Sequence, residues 1–167
     1  MAVARSKVLV AEGRQSAADT LLVLPFNTGL GAEATKGISI KRVELWIDPQ
    51  DHVNWNPGGP YGYGFIGLLK GNGAGLTSAD IVPTNRDVVA MEGFAVNPTT
   101  FINSVKPIYS WDATVGAGTV LVADDEMALV LDTQNTARAN RAFVRVWYGT
   151  VVLTELERLQ LRIAAIG

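Results

Sequence analysis

Turn-forming residues interrupt this chain about every 8 to 12 residues over most of its length. Between them lie short runs rich in valine, leucine, isoleucine and aromatic side chains, most of them shorter than a helix would need. This spacing is typical of an all-β sandwich or barrel. The chain has 167 residues, no internal repeat and no low-complexity tract, so we expect one domain over residues 1–167.

Two of the candidate strands have features that predict their place in a sheet. In Ile38–Ile47 the alternation of apolar residues slips by one position at Lys41–Arg42, which predicts a β-bulge. Thr20–Phe26 is a continuous apolar run, which is typical of a strand buried on both faces. The other candidates are Lys7–Val10, Tyr61–Lys70, Asp87–Ala90, Phe94–Val96, Val105–Trp111, Thr119–Ala123, Met127–Leu131 and Arg141–Leu153.

Residues 51–75 form a long region rich in glycine, proline and aromatic residues. Its first part, Asn54–Pro60, predicts an irregular loop, because proline removes a ladder donor and glycine adopts unusual dihedral angles. In the candidate strand that follows, Gly62 and Gly64 would let another backbone or an aromatic ring lie close over the strand.

The last strand candidate has bulky side chains on both faces from Phe143 to Val152. A strand of a solvated antiparallel sheet shows one polar face. We therefore expect this strand to be central in its sheet, with its second face covered by the C-terminal helix or by a neighbouring subunit.

A helix is predicted over 154–166, because Thr154 and Glu157 have the spacing of a capping box. One strip of this helix is apolar, and that strip requires a partner. Packing on the edge of the sandwich is the simpler interpretation, and docking on a neighbouring subunit is the alternative. The strip consists of Leu156, Leu159, Ile163 and Ile166.

The composition indicates an assembly. Hydrophobic residues make up 48% of the chain, charged residues only 18%, and apolar surface is therefore expected to be hidden between subunits. A net charge of −2 argues against a strongly basic nucleic-acid binder. There is no cysteine for disulfides or thiolate chemistry. Residues 1–10 lack the apolar run of a secretion signal, and the longest apolar run, Leu21–Phe26, is too short to span a membrane.

Candidate catalytic and metal-binding residues are few. His52 is the only histidine and lies near Asp48 and Asp51, but a solvated turn is the favoured interpretation of this loop. Asp124–Glu126 places three carboxylates together, and such oxygen-rich loops can hold calcium. The spacing does not match an EF-hand, so a solvated strand connection is favoured over a calcium site near Asp124. We expect no catalytic residue, no metal and no cofactor.

Two sets of side chains are candidates for binding. Trp55, Tyr61 and Tyr63 border the glycine-rich loop and form a possible platform for a sugar, although rings that anchor a loop or fill a subunit contact have the same pattern. Arg138, Arg141 and Arg145 gather around the start of the last strand, and the net charge favours a protein partner for them over nucleic acid. With Leu156, Leu159 and Ile163 they are the predicted subunit contacts.

As a whole, the chain resembles the small single jelly-roll capsid proteins of viruses. The features that carry this resemblance are about eight short strands, a long aromatic and proline-rich insertion after an early strand, and the pair of strands Met127–Leu131 and Phe143–Tyr148 at the end. The nearest likeness is to the small major capsid proteins of icosahedral phages and archaeal viruses that enclose an internal membrane. The C-terminal helix does not match that family.

The resemblance implies an antiparallel β-sandwich of jelly-roll type, with about eight strands and a short C-terminal helix. It also implies a non-enzymatic coat protein that self-assembles into a virion shell in the host cytoplasm. Partners would be further copies of the chain, a second capsid protein and a nearby internal lipid layer, without specific nucleic-acid binding. The alternative is a carbohydrate-binding β-sandwich, such as a phage fibre or decoration protein, that uses the loop aromatics.

Overall fold

The computed structural model describes residues 7–30, 35–48, 62–82, 85, 87–96, 108–110, 120–136 and 138–163. These residues form nine strands and one helix. In chain order they are β1 (Lys7–Arg14), β2 (Leu22–Asn27), β3 (Lys36–Ile47), β4 (Gly62–Lys70), β5 (Val88–Val96), β6 (Ile108–Ser110), β7 (Val120–Val122), β8 (Glu126–Gln134), β9 (Arg141–Val152) and α1 (Glu155–Ile163).

The strands form two antiparallel sheets that pack face to face. The first sheet has the order β1-β9-β3-β6, with β7 also paired to β3, and the second sheet has the order β2-β8-β4-β5. The pairings are nested: β1 pairs with β9, β2 with β8, β3 with β6 and β7, and β4 with β5. A long hairpin rolled up on itself gives this nesting, which is the topology of a jelly roll. The predicted jelly-roll sandwich is therefore confirmed.

The predicted β-bulge lies at Lys41. Along the β3–β9 pair, Ile40 faces Tyr148 and Arg42 faces Trp147, so Lys41 is the extra residue. Before the bulge β3 pairs with β7, and after it β3 pairs with β6. The bulge keeps the apolar residues on both sides of it directed into the sandwich, because a one-residue insertion reverses the alternation.

The main core lies between the two sheets and is built from the inward residues of nearly every strand. A second, smaller apolar cluster lies on the outside of the second sheet, where the connection after β4 covers β8 and brings Ile81 to 3% exposure. Both faces of β8 are therefore buried. The largest fully buried side chains are Ile38, Ile40, Leu45, Ile47, Ile66, Leu68, Leu69, Met127, Leu129 and Leu131.

Two strands differ from the sequence-based prediction in more than their bounds. The run Thr20–Phe26 was expected to be buried on both faces, but β2 is an edge strand and its side chains are only half-buried or exposed. One face of β2 contributes to the main core, and the other face contributes to the second cluster. An edge position also suits Pro25, which has no N–H to donate to a further strand. β5 is one continuous strand, not two, because Glu92 and Gly93 pair with β4 in regular register.

In residues 51–75, the structure describes the strand β4 and the turn after it. The expected close approach over Gly64 is confirmed. A Cβ on this residue would stand closer than 3.0 Å to the carbonyl oxygen of Asp132 and 3.0 Å from the ring of Phe94. The Asn54–Pro60 loop lies outside the described residues.

The predicted capping box begins α1. The Thr154 N–H and hydroxyl both lie 2.7 Å from Oε2 of Glu157, and the Glu157 N–H donates to the Thr154 hydroxyl at 3.2 Å. These hydrogen bonds from Thr154 hold the pKa of Glu157 below its usual value. In the part of the chain that the structure describes, no helix is long and apolar enough to cross a membrane.

Candidate functional site

The outer face of the first sheet carries a cluster of aromatic rings and arginines on its two central strands. β3 contributes Arg42, Glu44 and Trp46, and β9 contributes the residues opposite them in register. We call this cluster the arginine-aromatic face; it consists of Arg42, Glu44, Trp46, Phe143, Arg145 and Trp147.

The β-bulge explains why the β3 residues of this face point outward. Ile38 and Ile40 are fully buried, and a regular strand would continue inward at Arg42 and Glu44. The extra residue Lys41 reverses the phase, so Val43 and Leu45 enter the core. Arg42, Glu44 and Trp46 are thereby turned to the outside.

The rings and guanidinium groups form one continuous stack. The Trp46 and Phe143 rings are parallel, with their centroids 5.2 Å apart and an interplanar angle of 4°. The Arg42 guanidinium lies 5.0 Å from the centre of the Trp147 ring. The Arg145 guanidinium lies between the two indoles, 5.5 Å from Trp46 and 5.6 Å from Trp147. Cation–π attraction and stacking hold these side chains in fixed positions.

Glu44 supplies the only carboxylate in the centre of this face, as far as the structure describes it. Its side chain is 7% exposed, it forms a salt bridge with Arg42, and its Oε2 lies 3.7 Å from Nη1 of Arg145. The two arginines, at 44% and 43% side-chain exposure, share this one carboxylate. The centre of the face therefore has an excess of one positive charge. At the start of β9, Nη1 of Arg141 lies 3.6 Å from Oε1 of Glu12 and 4.0 Å from Oδ2 of Asp48.

Exposed aliphatic side chains border the arginine-aromatic face. Val8 and Val10 on β1 are opposite Trp147 and Arg145, and they are 45% and 61% exposed. On the other side, Ile108 of β6 is opposite Glu44 and is 50% exposed. Aromatic side chains and arginines surrounded by aliphatic groups are enriched in protein–protein contacts.

The helix α1 presents a second apolar surface. Leu156 and Leu159 are 65% and 53% exposed, so the chain's own sandwich does not cover them. The buried residue is Arg158, whose Nη2 lies 3.4 Å from Oδ1 of Asp125. For Leu156 and Leu159, the simpler interpretation that the strip packs on the sandwich edge is therefore wrong, whereas the side chains of Ile163 and Ile166 lie outside the described residues. An ion pair with the β7–β8 connection determines which side of the helix faces inward.

The predicted subunit contacts occupy two surfaces and a loop. Arg141 and Arg145 lie on the outer face of β9, as expected from their spacing, and alternate with buried residues. Arg138 lies in the β8–β9 connection and is exposed. Ile163 ends α1, and its side chain lies outside the described residues. The expectation that β9 is a central strand is confirmed, and the side chains of its outer face from Arg141 to Trp147 are half-buried. Coverage of this face by a neighbouring subunit stays a prediction.

The predicted sugar platform is only partly described. Tyr63 lies on the outer face of β4, opposite Gln134 and Ala95, and is 51% exposed. Trp55 and Tyr61 lie outside the described residues, as do Asp51, His52 and Trp111.

The carboxylates at Asp124–Glu126 lie in the β7–β8 connection. Asp125 binds Arg158, and the backbone carbonyls of Asp124 and Asp125 accept hydrogen bonds from the Thr28 hydroxyl. Among the described residues, no group of three or more acidic or histidine side chains is arranged to hold a metal ion.

A buried polar cluster lies at the other end of the sandwich. The Gln15 Oε1 accepts hydrogen bonds from the backbone and side-chain N–H groups of Asn140 at 3.0 and 3.2 Å, and its Nε2 donates to Thr133 at 3.0 Å. Thr136 donates to Asp19 from its backbone N–H and its hydroxyl, both at 2.9 Å. These hydrogen bonds tie the β1–β2 connection to the β8–β9 connection, which is a structural role.

Sequence reasoning did not place Arg42, Glu44, Val8 or Val10 in a site. The signal was present, since the predicted bulge turns every second residue after Lys41 outward. What was missing was the register that sets β3 against β9. No protein-family model matches the chain, and no curated protein matches its sequence.

Proposed function

We propose that this protein is a structural coat subunit that self-assembles into a virion shell, and that it has no enzymatic role. The observation that carries the proposal is the position of apolar groups outside the core. One small chain carries a half-buried aromatic sheet face with exposed valines at its border, and a helix with two exposed leucines. Surfaces of this kind are typical of proteins whose working state is an assembly.

The fold supports the proposal without being sufficient for it. Jelly rolls occur in viral coats, in lectins and in other proteins, so topology alone does not assign a function. The arginine-aromatic face adds a specific argument. Its side chains are held in place by stacking and by Glu44, and such fixed aromatic and arginine groups are the usual anchors of protein contacts.

The proposal extends to the partners that the resemblance implies. The shell would contain many copies of this chain, together with a second coat protein, and would lie above an internal lipid layer. Its location would be the virion, assembled in the host cytoplasm. An assembled coat protein needs neither a cofactor nor a catalytic group.

The direct test measures the mass of the purified protein as its concentration rises. Light scattering coupled to size-exclusion chromatography is expected to show large species, and electron microscopy is expected to show particles, rings or sheets of one repeating subunit. Addition of liposomes or a co-expressed second coat protein is expected to lower the concentration required. A monomer at every concentration, unaffected by either addition, would contradict the proposal.

A second candidate function is carbohydrate binding, and the exposure of Tyr63 favours it. A half-exposed ring on a sheet face can stack on the apolar face of a sugar. A glycan array tests this with the wild-type protein and with Tyr63→Ala. Binding that is lost in the variant would support the lectin, whereas a blank array would leave the coat protein as the proposal.

A further inference from the structure

The helix α1 has its apolar stripe on the side away from the protein. Each helical residue turns the direction of the side chain by about 100°, so residues two apart point to nearly opposite sides. Leu156 is two residues before the buried Arg158, and Leu159 is two residues before the half-buried Leu161. The stripe of Leu156 and Leu159 therefore faces away from the sandwich. We call it the leucine stripe.

The chain's own arginine-aromatic face is not available to this stripe. Arg158 is 8% exposed and paired with Asp125, and Leu161 is half-buried and lines a small cavity together with Leu121 and Leu153. While these contacts hold the helix, rotation of the leucine stripe toward its own sheet would pull a buried arginine into solvent and expose Leu161. Among the described residues no surface of the same chain covers the stripe, and a second molecule can supply one.

The dimensions of the two surfaces agree. A nine-residue helix is about 13.5 Å long, at about 1.5 Å per residue. From Arg42 to Trp46 the strand β3 advances by four residues, which is about 13 Å at about 3.3 Å per residue. Val8 and Val10 border the face on one side, and Ile108 borders it on the other. A short helix that lies along the strands is flanked by apolar groups on both sides.

The charges of the two surfaces are opposite. Arg42 and Arg145 share the single carboxylate of Glu44, so the face has one positive charge in excess. The first turn of α1 is acidic, and Glu155 is exposed beside the leucine stripe. An acidic side chain next to two leucines therefore matches two arginines next to aromatic rings.

We propose that the leucine stripe of one copy of this chain docks on the arginine-aromatic face of a second copy, with Glu155 placed against Arg42 and Arg145. Because each copy carries both surfaces at different places, one copy can bind through its helix and be bound through its sheet. Such a contact closes into pairs or rings, or continues as an open chain of copies. This inference rests on the proposed function, and it names the contact through which the copies would associate.

Cross-linking tests the contact directly, because the chain has no cysteine that would interfere. One preparation carries Leu156→Cys and a second carries Val10→Cys, and the two are mixed and oxidised. A disulfide requires Cα atoms within about 7 Å, so a mixed dimer forms only if helix and face meet. The matched control replaces Val10→Cys by Tyr63→Cys, which is comparably exposed on the second sheet and should give no mixed dimer.

Charge reversal provides an independent test. Glu155→Arg and Arg145→Glu are each expected to raise the concentration at which the protein assembles by about tenfold, because like charges then meet across the contact. The double variant is expected to return to within about threefold of the wild type. Loss of helix stability in Glu155→Arg cannot explain such a recovery. Lys70→Glu, the same charge change at the end of β4 in the second sheet, is expected to have no effect on assembly. Circular dichroism and melting temperature verify that each variant is folded.

Leu156→Ser with Leu159→Ser is a further variant that does not disturb the core, since both side chains are exposed. It is expected to raise the assembly concentration by at least about tenfold. If the wild type assembles and all these variants assemble equally well, the docking proposal is wrong while the shell function stands. Loss of liposome binding without any change in assembly would assign the stripe to lipid and would also overturn the proposal. A wild type that never assembles would overturn both.

Discussion

Replacement of Gly64 by alanine is expected to destabilise the fold strongly, although it adds a single methyl group. That methyl would stand closer than 3.0 Å to the carbonyl oxygen of Asp132 and 3.0 Å from Cα of Thr133. Both atoms belong to the backbone of β8. This strand pairs with β4 from Tyr63 to Lys70. The backbone of β8 cannot move away without loss of ladder hydrogen bonds and of core packing around Leu129 and Leu131.

The size of the effect follows from two opposed terms. Overpacking of a buried site costs about 1 to 3 kcal/mol, and a clash with a rigid backbone belongs at the upper end or above it. Alanine restricts the unfolded chain more than glycine does, which contributes about 0.4 to 1 kcal/mol in the opposite direction. We expect a net loss of about 2 to 2.5 kcal/mol, which lowers the melting temperature by about 4 to 10 °C in a domain of this size.

Gly93→Ala is the matched control. Gly93 lies on the neighbouring strand β5 opposite Phe65, and the nearest atom to a Cβ there is 3.9 Å away. The same substitution should therefore be neutral or stabilise the protein by up to about 1 kcal/mol, because only the unfolded-state term remains. Urea denaturation at one protein concentration measures both variants. Equal changes in the two variants, or a change below about 1 kcal/mol for Gly64→Ala, would refute the argument from close approach.

Three further predictions concern polar groups. Gln15→Ala is expected to lower the free energy of unfolding by about 2 kcal/mol in urea denaturation, because Asn140 and Thr133 lose their buried partner. Ser16→Ala, at an exposed position, should change the free energy of unfolding little. Burial, and then the contact with Glu92, raises the pKa of Tyr109 to about 12, so its contribution to stability is present below pH 10 and lost as the pH rises toward 12. An absorbance titration should show a late tyrosine component, and Tyr109→Phe should remove it. The hydrogen bonds with Thr154 lower the pKa of Glu157, so the capping of α1 should persist above pH 4.5 and be lost at lower pH. The helical circular dichroism signal should show this loss. Glu157→Gln should abolish the pH dependence of that signal.

Features that depend on neighbouring residues along the chain could be predicted from the sequence. The bulge at Lys41 is a slip in local alternation, and the capping box needs only Thr154 and Glu157 three residues apart. The central position of β9 follows from bulky residues on both of its faces. The split of β5 into two strands was wrong because Glu92 and Gly93 are poor strand formers, whereas pairing with β4 on one side decides the structure there.

Features that depend on register could not be predicted. The stack of Trp46 on Phe143 joins residues almost one hundred positions apart, and it requires β3 and β9 to pair with these two side chains opposite each other. The Gln15 cluster joins positions 118 to 125 residues apart in the chain. The ion pair of Arg158 with Asp125 is also non-local. The apolar period of α1 locates its leucine stripe but does not tell which side faces the sandwich.

The two proposed contact surfaces have one property in common, which is that a buried charge holds each of them in place. Glu44 lies beneath the arginine-aromatic face at 5% exposure, and Arg158 lies beneath the leucine stripe at 8% exposure. A buried ion pair adds little stability compared with apolar residues of the same size, so stability alone does not account for charges inside and leucines outside. The ion pairs do fix orientation. The pair of Arg158 with Asp125 sets which side of the helix faces inward, and the pairs of Glu44 hold Arg42 and Arg145 in place on the face that the bulge turns outward. This reversal of the usual arrangement is unfavourable for an isolated monomer, and it would become favourable in the proposed assembly, where other copies cover the two surfaces.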